Sequence, residues 1–547
     1  METLDGTSWD IVISGTGLQQ SLLALALSRT EKKILHIDKN GFYGGSETAL
    51  SLQEAQEWVE KIKNTPSRTF RNAASSGQTD QPSSGAHPAL SFSRAYSLAL
   101  APQIIYSRSA LLQFLVSSKV YRQLEFQAIG SWYIYSSRSS HEETSSPRGD
   151  ARPSNAASEA GTLLKVPNGR EDIFSAENID LRAKRSLMNF LRFVADFENQ
   201  NEQWDSYRAR SLPDFLADQY NIPQELHEPL LALTLSPDAS ESTTTEYALP
   251  RIARHLRSIG VFGSGFGAVI PKWGGLAEIA QVGCRAGAVG GAVYVLGMGA
   301  QSISNVVDDS SNDTRSLQIR LSDGSVVRTG WLVGEEDNLP QDVEKSHERR
   351  TTERIATHVS RSISIVAASF SSLLPPVVEN APIPAGAVVV VPAGSLVSTD
   401  AEGTDSQHPP VHVIIHSSDT GECPDGQAIL YASTSATGEK GVVLLKDAVD
   451  RILHCLEEQP APTVLWSMQY EQMATTSPVV LSGEENTNTN TDGRVMLLAP
   501  VPLDLALDDR TLESVRSVWE RIVGEENNGF MVFEDREGAG GDDGEEE

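Results

Sequence analysis

A short apolar strand, a glycine turn and a helix at the start of the chain constrain its fold more than any other feature. Residues 10–14 are mostly apolar and predict a strand. Residues 18–26 place leucine and alanine at helical spacing, and residues 34–38 predict a second strand. The chain therefore opens with a compact βαβ unit, which is typical of a doubly wound α/β fold.

The turn inside this unit is an incomplete dinucleotide-binding motif. Gly15 and Gly17 lie between strand and helix, where such a fold puts its phosphate-binding turn, and Asp38 ends the second strand, where an acid would bind the ribose. The third glycine of the motif, which allows close helix–strand packing, is replaced by Gln20. We therefore expect a retained fold with a vestigial turn and no bound cofactor.

Charge and composition limit the function classes. The formal net charge of -29 argues against nucleic-acid binding, which needs a basic face, and it leaves room for a basic partner. Three widely separated cysteines match no zinc or disulfide spacing, so a reducing compartment is expected. The sequence has no evident signal peptide and no run of about 18 apolar residues, so a cytoplasmic protein is predicted.

Several polar segments interrupt the chain. Residues 64–93 and 136–160 predict exposed, disordered insertions, because they are long, polar and without periodicity. Residues 335–354 predict a charged linker, and residues 482–492 predict a further polar break. Residues 531–547 predict an acidic disordered tail.

The middle and end of the chain differ in pattern. Residues 130–258 predict a mostly helical insert, with an apolar helix around 187–197 and further helices at 211–218, 224–235 and 243–259. After residue 290 the pattern predicts strands, including a hairpin around the turn at 322–325, and a last helix at 510–523. The α/β domain is therefore predicted to be discontinuous, comprising residues 1–129 and 259–530.

Two separated blocks resemble a known family. Residues 15–18, 35–38 and 42–45 are similar to the first signature of the Rab GDP-dissociation inhibitor and Rab escort superfamily. Residues 273–296 are similar to its second signature, and the seven-residue spacing of Glu278 and Arg285 matches. Further resemblance, at 166–174 and 184–191 among other segments, favours the escort branch.

The resemblance implies a fold and a function. The fold would be a large α/β domain of the FAD-monooxygenase-like, Rossmann type with a smaller all-α domain inserted, and it would bind no cofactor. An escort protein has no catalytic site of its own. It binds Rab-family small GTPases in their unprenylated GDP form and presents them to the Rab geranylgeranyl transferase heterodimer. It then shields the attached geranylgeranyl lipid and delivers the product to a membrane by transient contact.

The resemblance also assigns a platform that would bind the GTPase. The platform residues are Tyr43, Gly44, Gly45, Glu278, Arg285 and Val295. A tyrosine beside two glycines can equally pack on a turn, and Val295 can be an ordinary core residue of a strand. Glu278 and Arg285 can be a local pair, because residues seven apart share one helix face.

The helical insert would hold the lipid. Hiding a chain of 20 carbons from water is worth about 0.8 kcal/mol per CH₂, so a carrier needs a groove that opens between apolar helices. The candidate lining residues are Leu187, Phe190, Leu191, Val194, Leu230 and Leu233. Each of them can equally belong to an ordinary helical core.

Two other functions stay open at this point. A Rab GDP-dissociation inhibitor, which recycles prenylated Rab, would share both signatures, although that branch is shorter and lacks such insertions. A flavin-dependent oxidoreductase would share the opening βαβ unit, and flavin absorption bands would identify it. No catalytic triad, metal-ligand cluster or P-loop is evident in the sequence.

Overall fold

The computed structural model describes residues 3–77, 89–137, 161–167, 179–263, 265–307, 315–340, 355–376, 382–396, 408–476, 493–524 and 529–533. Much of the insertion predicted at 136–160, most of the predicted linker, the break at 482–492 and the tail beyond residue 533 lie outside these residues.

Nineteen strands and eleven α-helices form within the described residues. The strands are β1 (Ser8–Ser14), β2 (Ile34–Asp38), β3 (Ala49–Leu50), β4 (Phe70–Ser76), β5 (Leu98–Ala99), β6 (Ile105–Tyr106), β7 (Phe126–Ser136), β8 (Thr162–Lys165), β9 (Ala268–Pro271), β10 (Val293–Leu296), β11 (Ala300–Val307), β12 (Arg315–Leu321), β13 (Val326–Glu335), β14 (Ile355–Ala367), β15 (Gly386–Val391), β16 (Val411–Ser417), β17 (Ala428–Thr434), β18 (Thr463–Thr476) and β19 (Val495–Leu498). The helices are α1 (Leu18–Leu27), α2 (Leu52–Asn64), α3 (Ala110–Ser117), α4 (Leu181–Val194), α5 (Asn201–Trp204), α6 (Leu212–Tyr220), α7 (His227–Ala232), α8 (Thr245–Ser258), α9 (Leu276–Val289), α10 (Gly438–His454) and α11 (Arg510–Val523). None of these helices combines the length and the apolar character that a bilayer crossing requires.

The first sheet has seven strands and follows the order β10-β2-β1-β13-β12-β11, with β19 also paired to β13. Strands β10, β2, β1, β13 and β19 pair in parallel, whereas β11, β12 and β13 pair in antiparallel fashion. The predicted βαβ opening is confirmed by β1, α1 and β2. The predicted strand at 293–296 and the predicted hairpin are confirmed by β10 and by β12 and β13.

Helix α1 is buried on all sides, so its short apolar stripe is only part of its packing surface. All ten of its residues are buried. It packs against α9 and α11 on one face of the first sheet, and the three helices share one apolar core with Ile11 and Ile13 of β1. The opposite face of the sheet carries a separate core that contains Val12 and Leu35. The candidate site lies on the α1 and α9 face, so residues of the first sheet that point to the opposite face do not contribute to it.

The second sheet has ten strands in the order β4-β18-β14-β17-β16-β15-β7-β9-β6, with β8 paired to β7. One face packs on α10, where Leu445 and Ile452 enter a core with Val413 and Leu430. The other face packs on the helices between α4 and α8 in the largest core of the molecule.

The predicted helical insert is wrong at its beginning. Residues 130–136 belong to β7, and residues 162–165 form β8, so both segments are part of the second sheet. Val388 of β15 pairs with Trp132, and buried apolar side chains fill both faces of β7. A strand that is buried on both faces has no period that separates it from a buried helix. The helical region consists of α4 to α8, from Leu181 to Ser258.

Two predicted disordered segments contain ordered structure. Strand β4 lies within the insertion predicted at 64–93 and pairs with β18, where Phe70 and Ala73 are buried. Phe530, Met531 and Phe533 pack into the core beneath α1, so the predicted tail begins too early. In both places a few apolar side chains and main-chain hydrogen bonds offset the cost of ordering a polar segment.

Candidate functional site

The loop that follows β2 carries the first three predicted platform residues. Gly44 has a left-handed backbone, with φ of 97° and ψ of -8°. A Cβ atom on Gly44 would lie 2.9 Å from Thr48 Cα and 3.3 Å from Ala277 Cβ of α9. The loop therefore touches α9, and this contact requires glycine for both its backbone angle and its lack of a side chain.

The structure brings Tyr43 to the middle of α9. Burial raises the pKa of the Tyr43 phenol, the nearby Cys284 raises this pKa further, and the charge of Arg285 lowers it. Tyr43 therefore lies within electrostatic reach of Cys284 and Arg285, about 240 residues later in the chain. Its ring is partly exposed, so it can contact a partner.

Glu278 and Arg285 lie on the same helix as a charged pair at the edge of this site. Glu278 is partly buried, and burial raises the pKa of its carboxyl group while the positive charge of Arg285 lowers it. Arg285 is exposed. Arg285 beside the accessible Tyr43, and Glu278 on the same helix, can make polar contacts to a partner, which favour specificity and association rate.

Cys284 and Tyr294 pack beneath the site, against α1 and β2. Cys284 Sγ lies 3.2 Å from Ser21 Oγ of α1, and burial raises the pKa of the thiol to about 12. A thiol with this pKa is not a nucleophile near neutral pH, so Cys284 serves packing. The Tyr294 ring lies 4.8 Å from the ring of His36 of β2, between strand and helix. Neither residue was among the predicted site residues, because their role depends on the packing of α1 against α9.

Val295 does not join this group. Successive side chains of β10 point to opposite faces, so Val295 lies on the other face of the first sheet from Tyr294. It packs beside Val12 and Leu35, together with Met298. Val295 is only partly buried there, and its platform role stays a prediction on a different face from Tyr294.

Trp273 is an accessible residue that the site prediction missed. It precedes α9, is 43% exposed and has a φ of 69°, which is rare for an aromatic residue. Its main chain is held by Thr420 O, which accepts from Trp273 N at 2.9 Å, and by Ser97 Oγ, which donates to Trp273 O at 2.6 Å. Trp273 is the first residue of the second signature, and its strained backbone and exposure make it a further candidate for partner contact.

The vestigial turn does not fit a dinucleotide. The carboxylate of Asp38, expected at the ribose position, accepts hydrogen bonds from Thr16 N and Thr16 Oγ1 at 2.7 and 2.6 Å. Leu18 N, at the start of α1, donates to Glu47 Oε2 at 3.0 Å. A Cβ atom on Gly15 would lie 2.5 Å from Asn338 Nδ2, so a side chain also covers the first glycine. The protein's own side chains occupy both positions that a cofactor would need.

The predicted prenyl residues form a closed helical core. Leu187, Phe190, Val194, Leu230 and Leu233 are each 5% exposed or less, and Leu191 packs against them with partial exposure. The rings of Phe190 and Tyr220 meet edge to face at 5.4 Å. The structure therefore brings the six residues into one core, and an isoprenoid chain could enter only if helices moved apart.

A cavity of about 640 Å³ lies beyond the end of this core, between Leu235, β14, β17 and the loop after β19. Both apolar and polar side chains line it, among them Leu235, Leu505, Gln19, Thr511 and Ser514.

A family comparison agrees with the two signatures. A family model described as "GDI: GDP dissociation inhibitor" matches residues 5–367, which is about two thirds of the chain. The chain belongs to the GDP dissociation inhibitor family. The match spans both the Tyr43 loop and α9, so the two halves of the candidate site lie within the part shared with this family.

Two relatives of this GDP dissociation inhibitor family member carry the same protein name. The chain is 27% identical over 442 residues to a Saccharomyces cerevisiae protein named "Rab proteins geranylgeranyltransferase component A". The alignment covers 81% of this chain and 64% of that protein, so the chain spans less than two thirds of this relative's length. A Drosophila melanogaster protein of the same name is 27% identical over 443 residues, covering 79% of this chain and 75% of that one.

A solved structure establishes the fold. The crystal structure of a Rab GDI from Plasmodium falciparum superimposes with a TM-score of 0.62 at 19% identity, covering 95% of this chain and 99% of that one. The predicted FAD-monooxygenase-like, Rossmann-type α/β class is therefore confirmed for this family member.

Proposed function

We propose that this protein is a Rab escort protein. It binds unprenylated, GDP-bound Rab GTPases, presents them to Rab geranylgeranyl transferase and delivers the prenylated product to membranes. It acts in the cytosol with transient membrane contact, as an accessory subunit without a catalytic site of its own. Family membership and the names of the yeast and fly relatives support this proposal.

One observation carries the proposal. The Tyr43 loop and α9, far apart in the chain, meet at a surface that exposes a tyrosine ring and an arginine. Aromatic residues and arginine contribute most of the binding energy at protein interfaces. The turn that would hold a dinucleotide is closed by Glu47 and Asp38, which disfavours the oxidoreductase alternative.

The lipid would enter the helical region after transfer. The core that contains Leu187, Phe190 and Val194 is closed, so α4 would have to separate from its neighbours to admit a geranylgeranyl chain. Burying 20 carbons is worth roughly 15 kcal/mol at about 0.8 kcal/mol per CH₂, which is enough to offset helix opening. The groove would therefore exist only in the lipid-bound state.

If Tyr43 and Arg285 bind the GTPase, an alanine variant at either position should bind it more weakly. Tyr43→Ala is expected to weaken binding of a GDP-loaded Rab about 30-fold, because truncating an aromatic anchor costs about 2 kcal/mol. Arg285→Ala is expected to weaken it about tenfold. Titration calorimetry with GDP-loaded Rab measures both affinities. Arg516→Ala, on the exposed surface of α11, serves as the control and should bind as the wild type does. Wild-type affinity in both platform variants would remove the platform assignment.

A transferase assay separates the escort proposal from the inhibitor alternative. The purified protein is expected to support geranylgeranyl transfer to a fresh, unprenylated Rab by the transferase heterodimer, since presentation of the substrate is the escort's role. A protein that extracts prenylated Rab from membranes but leaves this transfer at its background rate is a GDP-dissociation inhibitor instead. Incorporation of labelled geranylgeranyl diphosphate into Rab measures the reaction.

A further inference from the structure

The N-terminus of helix α1 is bound by a carboxylate from outside the helix. Its first turn has no acidic residue, and its N-cap Gly17 has no side chain to accept a hydrogen bond. The N–H of Leu18 instead donates to Glu47 Oε2 at 3.0 Å, and Glu47 is 1% exposed. In a dinucleotide fold a ligand phosphate lies at this helix end, where free N–H groups and the helix dipole favour negative charge.

The space over the turn is used by the protein's own oxygens. A Cβ atom on Gly17 would lie 2.8 Å from Gln20 Oε1, 3.1 Å from Glu47 Oε2 and 3.5 Å from Glu335 Oε1. The glycine that allows a phosphate to approach in a cofactor-binding protein therefore allows these side chains to approach here.

Of the two buried carboxyl groups, Glu47 has the better hydrogen-bond partners: burial raises its pKa, and its bonds to Ser46 and Leu18 N lower it. It accepts hydrogen bonds from Leu18 N and from the hydroxyl of Ser46. Oxygen Oε1 of Glu335 has no hydrogen-bond partner among the described residues. Burial raises the pKa of Glu335 to about 8, and the charge of Glu47 contributes to this shift.

The same contact fixes the loop that bears Tyr43. Gly44 N donates to Thr16 O at 3.1 Å, and Glu47 N donates to Gly44 O at 2.8 Å. We propose that Glu47 replaces a cofactor phosphate at α1 and thereby positions the Tyr43 loop for GTPase docking. This inference rests on the proposed function, and it makes Glu47 a positioning residue rather than a contact residue.

Substitution of Glu47 tests this role with two readouts. Glu47→Ala is expected to weaken GTPase binding at least tenfold and to speed amide hydrogen exchange at residues 43–48 and at Leu18. Glu47→Gln keeps an acceptor oxygen for Leu18 N, so it should bind within about threefold of wild type and keep most of the exchange protection. Glu471→Gln is the matched control, because this buried carboxylate also accepts from a backbone amide, Gly438 N at 2.7 Å, but lies in the second sheet. It should leave both readouts unchanged.

The outcomes separate this inference from the proposed function. If Glu47→Ala binds the GTPase as wild type does while Tyr43→Ala does not, the positioning role is wrong and the escort proposal stands. Equal losses of binding in the alanine, glutamine and Glu471 variants would indicate general destabilisation and also overturn it. If the wild type binds no GDP-loaded Rab, the proposed function fails. Unchanged exchange at residues 43–48 in Glu47→Ala would then reject the anchoring by Glu47 independently.

Discussion

Gly44→Ala is expected to lower the free energy of unfolding by about 2 to 4 kcal/mol and to weaken GTPase binding more than tenfold. The left-handed backbone of Gly44 costs about 1 to 2 kcal/mol for an alanine. The added methyl group would meet Thr48 Cα at 2.9 Å, and this backbone atom cannot move without shifting the loop. A loop that moves away from Ala277 takes Tyr43 away from α9, so stability and docking should fall together.

Gly41→Ala is the matched control for this prediction. Gly41 lies in the same loop, but a Cβ atom on it would meet nothing within 4 Å. The shift of the urea unfolding midpoint and the affinity for GDP-loaded Rab are measured for both variants. Similar values for the two variants would show that the contact between loop and α9 does not control the site.

Local patterns in the sequence identified the first sheet well. The bounds predicted for β2 and β10 agree with the structure, and the turn at 322–325 joins β12 and β13 as expected. Strand and hairpin signals of this kind depend on short apolar runs and on turn residues within about ten positions. They hold here because turn residues bound these runs closely, such as Gly15 after β1 and Gly297 after β10.

The second sheet was harder to predict because its partners are remote. Strand β4 pairs with β18, about 400 residues later, and its own sequence is polar and short. Strand β7 is apolar on both faces, so its pattern did not separate it from the helices that follow. Both strands owe their conformation to neighbours that no local window contains.

The candidate site also has parts that local motifs predict and parts that depend on remote contacts. The pairing of the Tyr43 loop with α9 was predicted from two resembling blocks, and the structure brings them together. Val295 was assigned to the platform because it matches a position of the family pattern, and strand alternation puts it on the other face of the sheet from Tyr294. The roles of Glu47 and Glu335 depend on contacts with the glycine turn that cross 29 residues or more, so no motif marked them.

A second large effect is expected in acid. His255 is buried between the rings of Tyr106 and Trp132, and burial together with the charge of Arg254 lowers the pKa of His255 to about 3. In the unfolded chain a histidine has a pKa of about 6.5. The unfolded state therefore binds an additional proton between these values. The stabilisation is complete above about pH 6.5 and decreases by about 1.4 kcal/mol per pH unit below it, or by about 3 kcal/mol at pH 4.

Other buried groups also affect the dependence of stability on pH. Burial lowers the pKa of His36 and of His412 to about 4, so both add to the loss in acid. Glu335 acts in the opposite direction, because its raised pKa makes its contribution greatest in acid and removes it as the pH rises towards 8. The wild type should therefore be most stable slightly below neutral pH.

His255→Gln removes one of these titrating groups, so the stability difference between variant and wild type should change sign between pH 8 and pH 4. At pH 8 the variant is expected to be less stable than the wild type by about 1 to 2 kcal/mol, because the edge-to-face ring contacts with Tyr106 and Trp132 are lost. At pH 4 the wild type has lost about 3 kcal/mol by protonation of this histidine, so the variant should equal or exceed it. Urea unfolding midpoints from pH 8 to pH 4 measure the crossover, with the exposed His454→Gln as control. A constant difference between variant and wild type over this range would mean that His255 takes up no proton on unfolding.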